Sequence, residues 1–324
     1  YNVFIAMIVN TFRILKFIKI YRKGVLMRKF ISELLLIIVT IIWGLAFIWQ
    51  NIASKVLGPL TVVGIRSIIA VVFLIVVALL VPSLYKSQAP KVLAEPITKN
   101  KSWVLGGICG IVLFFAMYIS QIGIGMTTAG KAGFITVLYI CIVPFIGVFL
   151  GNKLNKFFII GLVLSVIGFY FLSVKEEFSL EIGDIIVLIS AVLFGIHIIV
   201  IDYSAARVNS MFLSIVQLVV VSVLSLVLAV FKETIVFADI MSVIWPLLAI
   251  GVLSSGVGYT LQIVGQKDVP PHTASLILSL ESVVAAIGGV LILGEHIGIR
   301  EGIGMLIVFV GIIVSQLPDK KKDK

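Results

Sequence analysis

Residues 31–49 have the sequence ISELLLIIVTIIWGLAFIW, in which Glu33 is the single charged residue. The hydrocarbon core of a bilayer is about 30 Å thick, and an α-helix needs roughly 20 apolar residues to cross it. The stretch therefore predicts a transmembrane helix. Comparable stretches recur along the chain and predict ten spans: 31–49, 61–82, 103–123, 127–150, 157–173, 184–203, 211–231, 241–265, 271–294 and 300–317.

The composition of the whole chain supports the same class. Of 324 residues, 61% are apolar and 12% are charged, and the mean hydropathy is +1.25. A soluble domain keeps about a quarter of its residues charged. Because half of that charge cannot cover a water-exposed surface, most classes of soluble enzyme are excluded. The predicted fold class is an all-α membrane protein with ten transmembrane helices.

The distribution of basic residues predicts how the chain lies in the membrane. The formal charge is +10, which in a soluble protein would suggest nucleic-acid binding. With the N-terminus in the cytoplasm, nineteen Lys and Arg residues fall on the inner side of the spans and four fall outside, as the positive-inside rule expects. We therefore predict a multi-pass protein of a prokaryotic cytoplasmic membrane that has both termini inside and contacts lipid but no nucleic acid.

The two ends of the chain are basic. Residues 1–26 fit an interfacial amphipathic helix, because Arg13, Lys16 and Lys19 fall roughly on one side of it. The start-like Met27 before the first span favours instead a non-native N-terminal extension. Residues 318–324 are predicted to form a basic cytoplasmic tail.

Residue offsets indicate an internal duplication. Glu33 and Gly44 of the first span recur as Asp184 and Gly195 of the sixth, 151 residues later. Offsets of 141 to 151 residues relate further pairs along the chain. These pairs are Arg66 with Gln217, Tyr118 with Tyr259, Gln121 with Gln262, Gly151 with Gly294, Gly161 with Gly304, and Gly168 with Gly311.

The duplication predicts two five-helix repeats, residues 31–173 and 184–317. Because five is odd, the second repeat must be inverted in the membrane relative to the first. Inverted repeats of this kind are typical of secondary transporters, whose substrate site lies near the midplane between the repeats.

Several motifs follow one another along the chain. They are Trp43-Gly44-Leu45-Ala46-Phe47, Pro59 with Arg66, YICIVP from Tyr139 to Pro144, Gly258 through Gln262, Gln266-Lys267, Ser279-Leu280-Glu281 and Gly294-Glu295. Taken in order, these motifs resemble EamA-type permeases of the drug/metabolite transporter superfamily over about residues 31–317. Two positions depart from the family pattern: Ser282 stands where a proline commonly follows the glutamate at 281, and Asn152 replaces the usual acid after Gly151. These departures concern a helix bend and a loop cap.

Three charged residues within the predicted spans are candidates for the site. Glu281 falls near the middle of the ninth span, where an unpaired charge is unfavourable by at least about 2.5–3.5 kcal/mol, so it must be protonated, paired or facing water. Lys131 begins the fourth span, and we expect it to pair with Glu281 across a central cavity. Arg66 lies near the outer end of the second span, where it serves as a structural arginine that extends outwards or as a substrate-binding charge.

Aromatic, amide and imidazole groups complete the predicted substrate-binding set. They can hold a substrate between ring faces and bind its polar parts, although the same groups also join helices within a bundle. The lone His197 of the sixth span is a candidate for proton relay or substrate contact. The other members are Trp43, Tyr118, Gln121, Tyr259 and Gln262.

Several chemistries are missing from the sequence. No GxxxxGK[ST] phosphate loop, no nucleophile with a nearby base and no TVGYG-like filter occurs. Cys109, Cys141 and the three histidines lack metal-ligand spacing. We therefore expect no catalytic residue, no metal and no cofactor, and an enzyme or channel is disfavoured.

These observations predict a secondary transporter that exports or exchanges a small organic metabolite, amino acid-like or drug-like, by alternating access. Transport would be driven by the substrate gradient or by proton exchange at Glu281. In a first alternative, Arg66 and Lys131 bind phosphate in a nucleotide-sugar or sugar-phosphate transporter. In a second, the protein is a non-transporting membrane sensor or assembly subunit. The sequence leaves open whether the protein is a monomer or a homodimer.

Overall fold

The computed structural model describes residues 25–87, 97–149, 156–173, 181–315 and 317. Most of the predicted extension and the whole of the predicted tail lie outside the described residues, as does Asn152. The described residues form helices and no β-strand. These are α1 (Val25–Ser54), α2 (Pro59–Leu80), α3 (Pro82–Ser87), α4 (Lys99–Ile124), α5 (Ala129–Thr136), α6 (Tyr139–Phe149), α7 (Lys156–Ser173), α8 (Ile182–Ala205), α9 (Ser210–Lys232), α10 (Phe237–Ser242), α11 (Ile244–Leu248), a π-helix (Ala249–Gly258), α12 (Tyr259–Gln266), α13 (Pro271–Ser279), α14 (Glu281–Leu293) and α15 (Ile299–Ser315).

Eight helical stretches among the described residues are long and apolar enough to cross a membrane. They correspond to the first four predicted spans and to the sixth through ninth. The fifth and tenth predicted spans form α7 and α15, which pack against each other. The apolar part of α7 covers Ile159–Phe171, and α15 has 17 residues. The protein is thus a multi-pass helical membrane protein, and ten crossings remain a prediction.

Helix packing repeats between the two halves of the chain. Helix α4 packs on α8 as α12 packs on α1, and α6 packs on α8 as α14 packs on α1. The close approaches at glycines repeat as well. A Cβ on Gly44 would lie 2.8 Å from the carbonyl oxygen of Glu281, and one on Gly195 would lie 3.6 Å from that of Tyr139. Gly44 and Gly195 thus meet equivalent neighbours, which shows that the offset of 151 residues relates equivalent positions of α1 and α8.

The second half is inverted relative to the first. Helices α2 and α9 occupy equivalent positions and pack on each other. Gly58 near the start of α2 lies beside Glu233 after the end of α9, whereas Gly64 lies beside Leu226, further back along α9. The two equivalent helices therefore run antiparallel, as an inverted repeat requires.

A helix break occurs at the same place in each half. Helix α5 ends at Thr136 and α6 begins at Tyr139, while α13 ends at Ser279 and α14 begins at Glu281. Backbone bonds across both breaks tighten to three-residue spacing, such as Leu280 N to the Ile277 carbonyl. In the second half, the Ser282 hydroxyl donates to the Ser279 carbonyl over 2.8 Å. The bend therefore forms without the proline that the family pattern has at this position.

Two carboxylates of the second half cap helices of the first. The Glu233 carboxylate accepts from the backbone N–H of Leu60 and of Thr61, each at 2.8 Å. Glu295 accepts from Ala129 and Gly130 at the start of α5, over 2.7 and 3.1 Å. Negative charge at a helix N-terminus satisfies free N–H groups and the helix dipole. The two carboxylates therefore join the halves at the N-terminal ends of α2 and α5.

Candidate functional site

A cavity of about 50 Å³ lies between the two halves, where a single water needs about 10–15 Å³. It has room for several waters or for part of a small organic solute. Its walls are mostly aromatic and aliphatic, with a few convergent polar groups. The lining consists of Trp43, Ala46, Phe47, Gln50, Arg66, Met117, Ser120, Thr136, Tyr139, Phe194, His197, Ile198, Ser254, Tyr259, Gln262 and Glu281.

Equivalent residues of the two halves face each other across this cavity. Helices α1 and α8 contribute three such pairs, each 151 residues apart. The two broken helices contribute Tyr139 and Glu281, 142 residues apart. A site built in this way lies on the pseudo-twofold axis, where ligand sites of inverted-repeat transporters occur. The three pairs are Trp43 with Phe194, Ala46 with His197, and Phe47 with Ile198.

The π-helix shifts the register between α4 and its counterpart. A Cβ on Gly110 would meet the carbonyl of Gln217, and one on Gly251 would meet that of Arg66, at an offset of 141 residues. Beyond the π-helix the offset is 142, because Gly123 and Gly265 make equivalent close approaches to α8 and α1. A π-helical turn accommodates one inserted residue in this way.

This shift corrects the alignment that the sequence suggested. The equivalents of Tyr259 and Gln262 are Met117 and Ser120, and all four line the cavity. Tyr118 and Gln121, one position further along, are outside the lining. The amide nitrogen of Gln121 instead donates to the Ser54 hydroxyl over 2.6 Å, which ties α4 to α1, and Tyr118 stacks on Phe114 at 5.9 Å.

Glu281 and Tyr139 meet in the cavity lining. The Tyr139 hydroxyl donates to Oε1 of Glu281 over 3.2 Å, and both residues are 3% exposed. No other hydrogen bond to Glu281 occurs among the described residues. Tyr139 belongs to the YICIVP stretch, and sequence reasoning did not select it as a site residue. Its position 142 residues before Glu281 is the signal that could have identified it.

The predicted pair between Lys131 and Glu281 is wrong. The ammonium of Lys131 lies 2.8 Å from a carboxylate oxygen of Glu181 and 3.5 Å from one of Asp184 and one of Glu301. These groups cluster where α5, α8 and α15 begin, away from the cavity lining. Lys131 lies on the face of α5 that packs against α8, and its ammonium therefore pairs with the acids at that end of the helices instead of with Glu281.

Arg66 points into the protein and does not extend outwards. It is 3% exposed, and its Nε and Nη2 donate to the hydroxyls of Ser255 and Ser254 over 2.9 and 2.8 Å. Its Nη1 donates to the amide oxygen of Gln50. Both serines belong to the π-helix, so this irregular segment places two hydroxyls beside the guanidinium. Gln50 and Ser254 line the cavity and were not predicted as site residues.

An aromatic group forms one wall of the cavity. The rings of Trp43 and Tyr259 lie 5.0 Å apart, and His197 meets Tyr259 edge to face at 6.0 Å. The indole N–H of Trp43 donates to the Ser254 carbonyl over 3.2 Å, and a His197 ring nitrogen lies 3.1 Å from the side-chain oxygen of Gln217. Apolar ring faces and fixed polar edges of this kind are suited to hold a small solute.

Two residues of the cavity lining each carry an unsatisfied polar atom. The Thr136 hydroxyl and the Gln262 amide oxygen are buried, and neither has a hydrogen-bond partner among the described residues. Buried polar atoms in proteins are normally paired, so water or a solute would supply the missing partner if either side chain turned towards the cavity. No group of three His, Cys, Asp or Glu residues close enough to hold a metal occurs in the described part of the chain.

Comparison with known families gives two matches along the chain. A model described as the EamA-like transporter family matches residues 30–174 and again residues 181–316. The two matched segments cover most of the chain and correspond to its two halves.

Individual relatives match over most of their length. An uncharacterized transporter of Archaeoglobus fulgidus is 29% identical over 90% of this chain and 87% of its own. One of Clostridium kluyveri is 25% identical over 84% and 90%, and one of Bacillus subtilis is 24% identical over 86% and 94%. A solved structure described as a crystal structure of a protein is 16% identical, has a TM-score of 0.66 and shares the fold over 88% of this chain and 96% of that chain.

Proposed function

Because the chain belongs to the EamA-like transporter family, we propose that it is a secondary transporter that exports or exchanges a small organic metabolite by alternating access. The observation that supports this proposal best is the cavity between the inverted halves, which equivalent residues of both halves line. Two similar halves in opposite senses can exchange conformations and so expose one site to either side of the membrane. The proposed substrate contacts are Trp43, Arg66, His197, Tyr259, Gln262 and Glu281.

Glu281 is the proposed proton carrier. It begins α14 at the helix break and has no basic partner among the described residues. A carboxyl in this setting can exchange a proton with water whenever the cavity opens to one side. Tyr139 holds its orientation through the 3.2 Å hydrogen bond.

The phosphate-transporting alternative is less well supported. It requires Lys131 and Arg66 to bind phosphate together. Lys131 is surrounded by three carboxylates, which would repel a phosphate, and it lies outside the cavity lining.

The proposal includes the orientation in a prokaryotic cytoplasmic membrane. The charge distribution supports an arrangement with both termini in the cytoplasm.

Reconstitution of the purified chain in proteoliposomes tests the proposal. A metabolite panel is first screened for thermal stabilisation of the protein in detergent, and each solute that stabilises it is then assayed for counterflow. We expect at least one solute to exchange across the membrane, with empty liposomes as the control. If every solute that stabilises the protein fails to cross, the protein is a sensor or assembly subunit.

A further inference from the structure

The guanidinium of Arg66 faces the cavity without a counter-ion. No Asp or Glu among the residues that the structure describes lies within ion-pair distance of it. Its three hydrogen-bond acceptors, on Gln50, Ser254 and Ser255, are all neutral. These contacts align the group but give it no direct partner of opposite charge.

The other buried cation of the spans is treated differently. Lys131 has three carboxylates within 3.5 Å. A buried ionised group is unfavourable inside a membrane protein unless a partner of opposite charge or water accompanies it. The fold places three carboxylates beside Lys131 and none within ion-pair distance of Arg66, although Glu281 lines the same cavity. An anion that enters the cavity can therefore become the direct partner that Arg66 lacks.

The guanidinium also retains hydrogen-bonding capacity. It carries five N–H donors, of which the three hydrogen bonds to Gln50, Ser254 and Ser255 use three. The Gln50 amide is itself fixed, because it donates to the Ala46 carbonyl over 3.1 Å. An aligned guanidinium with spare donors matches the planar, two-oxygen geometry of a carboxylate.

The rest of the cavity suits the remainder of an organic anion. The rings of Trp43 and Tyr259, which contact each other with centroids 5.0 Å apart, give the cavity an aromatic wall against which an apolar body can pack. Thr136 and Gln262 also line the cavity, and the hydroxyl of the first and the amide oxygen of the second have no hydrogen-bond partner among the described residues. A doubly charged phosphate would call for a second cation, and the lining offers Arg66 as its single Lys or Arg.

We propose that Arg66 is the anion-binding residue of the cavity and that the transported metabolite carries a carboxylate that Arg66 binds. This inference rests on the proposed transport function and specifies its substrate class. It assigns Gln50, Ser254 and Ser255 as positioning residues that hold the guanidinium towards the cavity.

Matched acid and amide pairs test the inference on the full chain in detergent. The probes are acetate and acetamide, benzoate and benzamide, phenylacetate and phenylacetamide, and indole-3-acetate and indole-3-acetamide. Each acid differs from its amide in charge and hardly in size. Binding is measured by titration calorimetry and by the shift in thermal midpoint. We expect at least one acid to bind about tenfold or more tightly than its amide, as a charge-assisted hydrogen bond would give.

Variants then place the effect on Arg66. Arg66→Gln should remove the preference for the acid, whereas Arg207→Gln, at a partly exposed arginine bonded to the Tyr203 carbonyl, should leave it unchanged. If Arg66→Gln fails to fold, Arg66→Lys replaces it. Lysine keeps the charge but loses the fork, so the ratio of acid to amide affinity should fall.

Each outcome bears on the inference. Equal affinity within every pair, no binding by any acid, or an unchanged ratio in the Arg66 variant would overturn it. Proteoliposome counterflow separates this failure from failure of the transport function. Flux of neutral or cationic solutes without preference for acids overturns the carboxylate assignment alone, while absence of flux for every solute overturns the transporter proposal.

Discussion

The hydroxyl of Tyr139 donates a hydrogen bond to Glu281 over 3.2 Å, and the two residues occupy equivalent positions in the inverted halves. Each begins the second part of a broken helix, α6 or α14. The duplication therefore places a phenol and a carboxyl face to face on the pseudo-twofold axis. Divergence between two similar halves has given one position a titratable acid and the other a hydrogen-bond donor that orients it.

Replacement of Glu281 tests proton coupling. Glu281→Gln keeps the shape and the bond to Tyr139 but cannot release a proton. We expect uptake driven by a pH gradient to be abolished while counterflow of the same solute in proteoliposomes persists. Glu33→Gln, at a partly exposed acid of α1, is the control and should retain both activities. Gradient-driven uptake by Glu281→Gln at the wild-type rate would exclude the proton role.

Removal of the Lys131 side-chain charge should destabilise the fold. Lys131→Met leaves Asp184, which is fully buried, beside two further acids without their cation. Loss of one partner of a buried ion pair lowers the free energy of unfolding by about 3–5 kcal/mol. The thermal midpoint in detergent measures the loss, and the double variant with Asp184→Asn should recover part of it.

The exposed pair of Lys29 and Glu33 provides the matched comparison. Their charged atoms lie 3.9 Å apart, and the Lys29 side chain is 54% exposed. Lys29→Met should change the free energy of unfolding by less than about 1 kcal/mol. Equal effects of Lys29→Met and Lys131→Met would contradict the structural role of the Lys131 cluster.

Two glycines of α4 should respond differently to the same substitution. A Cβ on Gly110 would lie 2.6 Å from the Val220 Cβ and 2.8 Å from the Gln217 carbonyl oxygen, whereas Gly107 has no neighbour within 4 Å. Gly110→Ala must push α4 and α9 apart, and overpacking of this kind lowers the free energy of unfolding by about 1–3 kcal/mol. Gly107→Ala should be neutral in the same thermal assay. A neutral Gly110→Ala would show that the two helices do not pack this closely.

The cap on α2 should contribute measurably to stability. Glu233→Ala removes a carboxylate that accepts hydrogen bonds from the backbone N–H groups of Leu60 and Thr61 and from the Thr61 hydroxyl. We expect the free energy of unfolding to fall by about 1–2 kcal/mol. Gly58→Ala should act in the same direction, because its Cβ would overlap the Glu233 carboxylate. In the double variant the two effects should not add, since both break one contact. Additive losses would contradict the cap.

Two threonines separate solute binding from structure. Thr136 lines the cavity and its hydroxyl has no hydrogen-bond partner among the described residues, whereas the Thr40 hydroxyl lies 3.0 Å from the carbonyl oxygens of Leu36 and of Ile277, which share its proton. Thr136→Val should leave the thermal midpoint unchanged and weaken the affinity for the transported solute about tenfold. Thr40→Val should instead lower the free energy of unfolding by about 1 kcal/mol and leave affinity unchanged. The reverse pattern would remove Thr136 from the site.

The alignment of the halves shows how far reasoning from the sequence extends. Gly44 and Gly195, matched by their offset alone, make equivalent close approaches in the structure. Tyr118 and Tyr259 were matched in the same way and are not equivalent, because the π-helix inserts one residue before Tyr259. A constant offset cannot reveal where within a helix an inserted residue is absorbed.

The sequence by itself determined the membrane class, the helical spans that are long enough to cross and the internal duplication. These properties follow from local composition and from spacing along one chain, since the length of an apolar run is fixed before any helix packs. Tertiary structure alone decided that Lys131 meets Glu181, Asp184 and Glu301, that Arg66 turns inwards, and that Tyr139 meets Glu281. Each of these contacts except that of Arg66 with Gln50 joins the two halves. These contacts depend on how far each helix is rotated about its own axis. Helix breaks and π-helical turns change that rotation, and the periodicity of the sequence does not specify it.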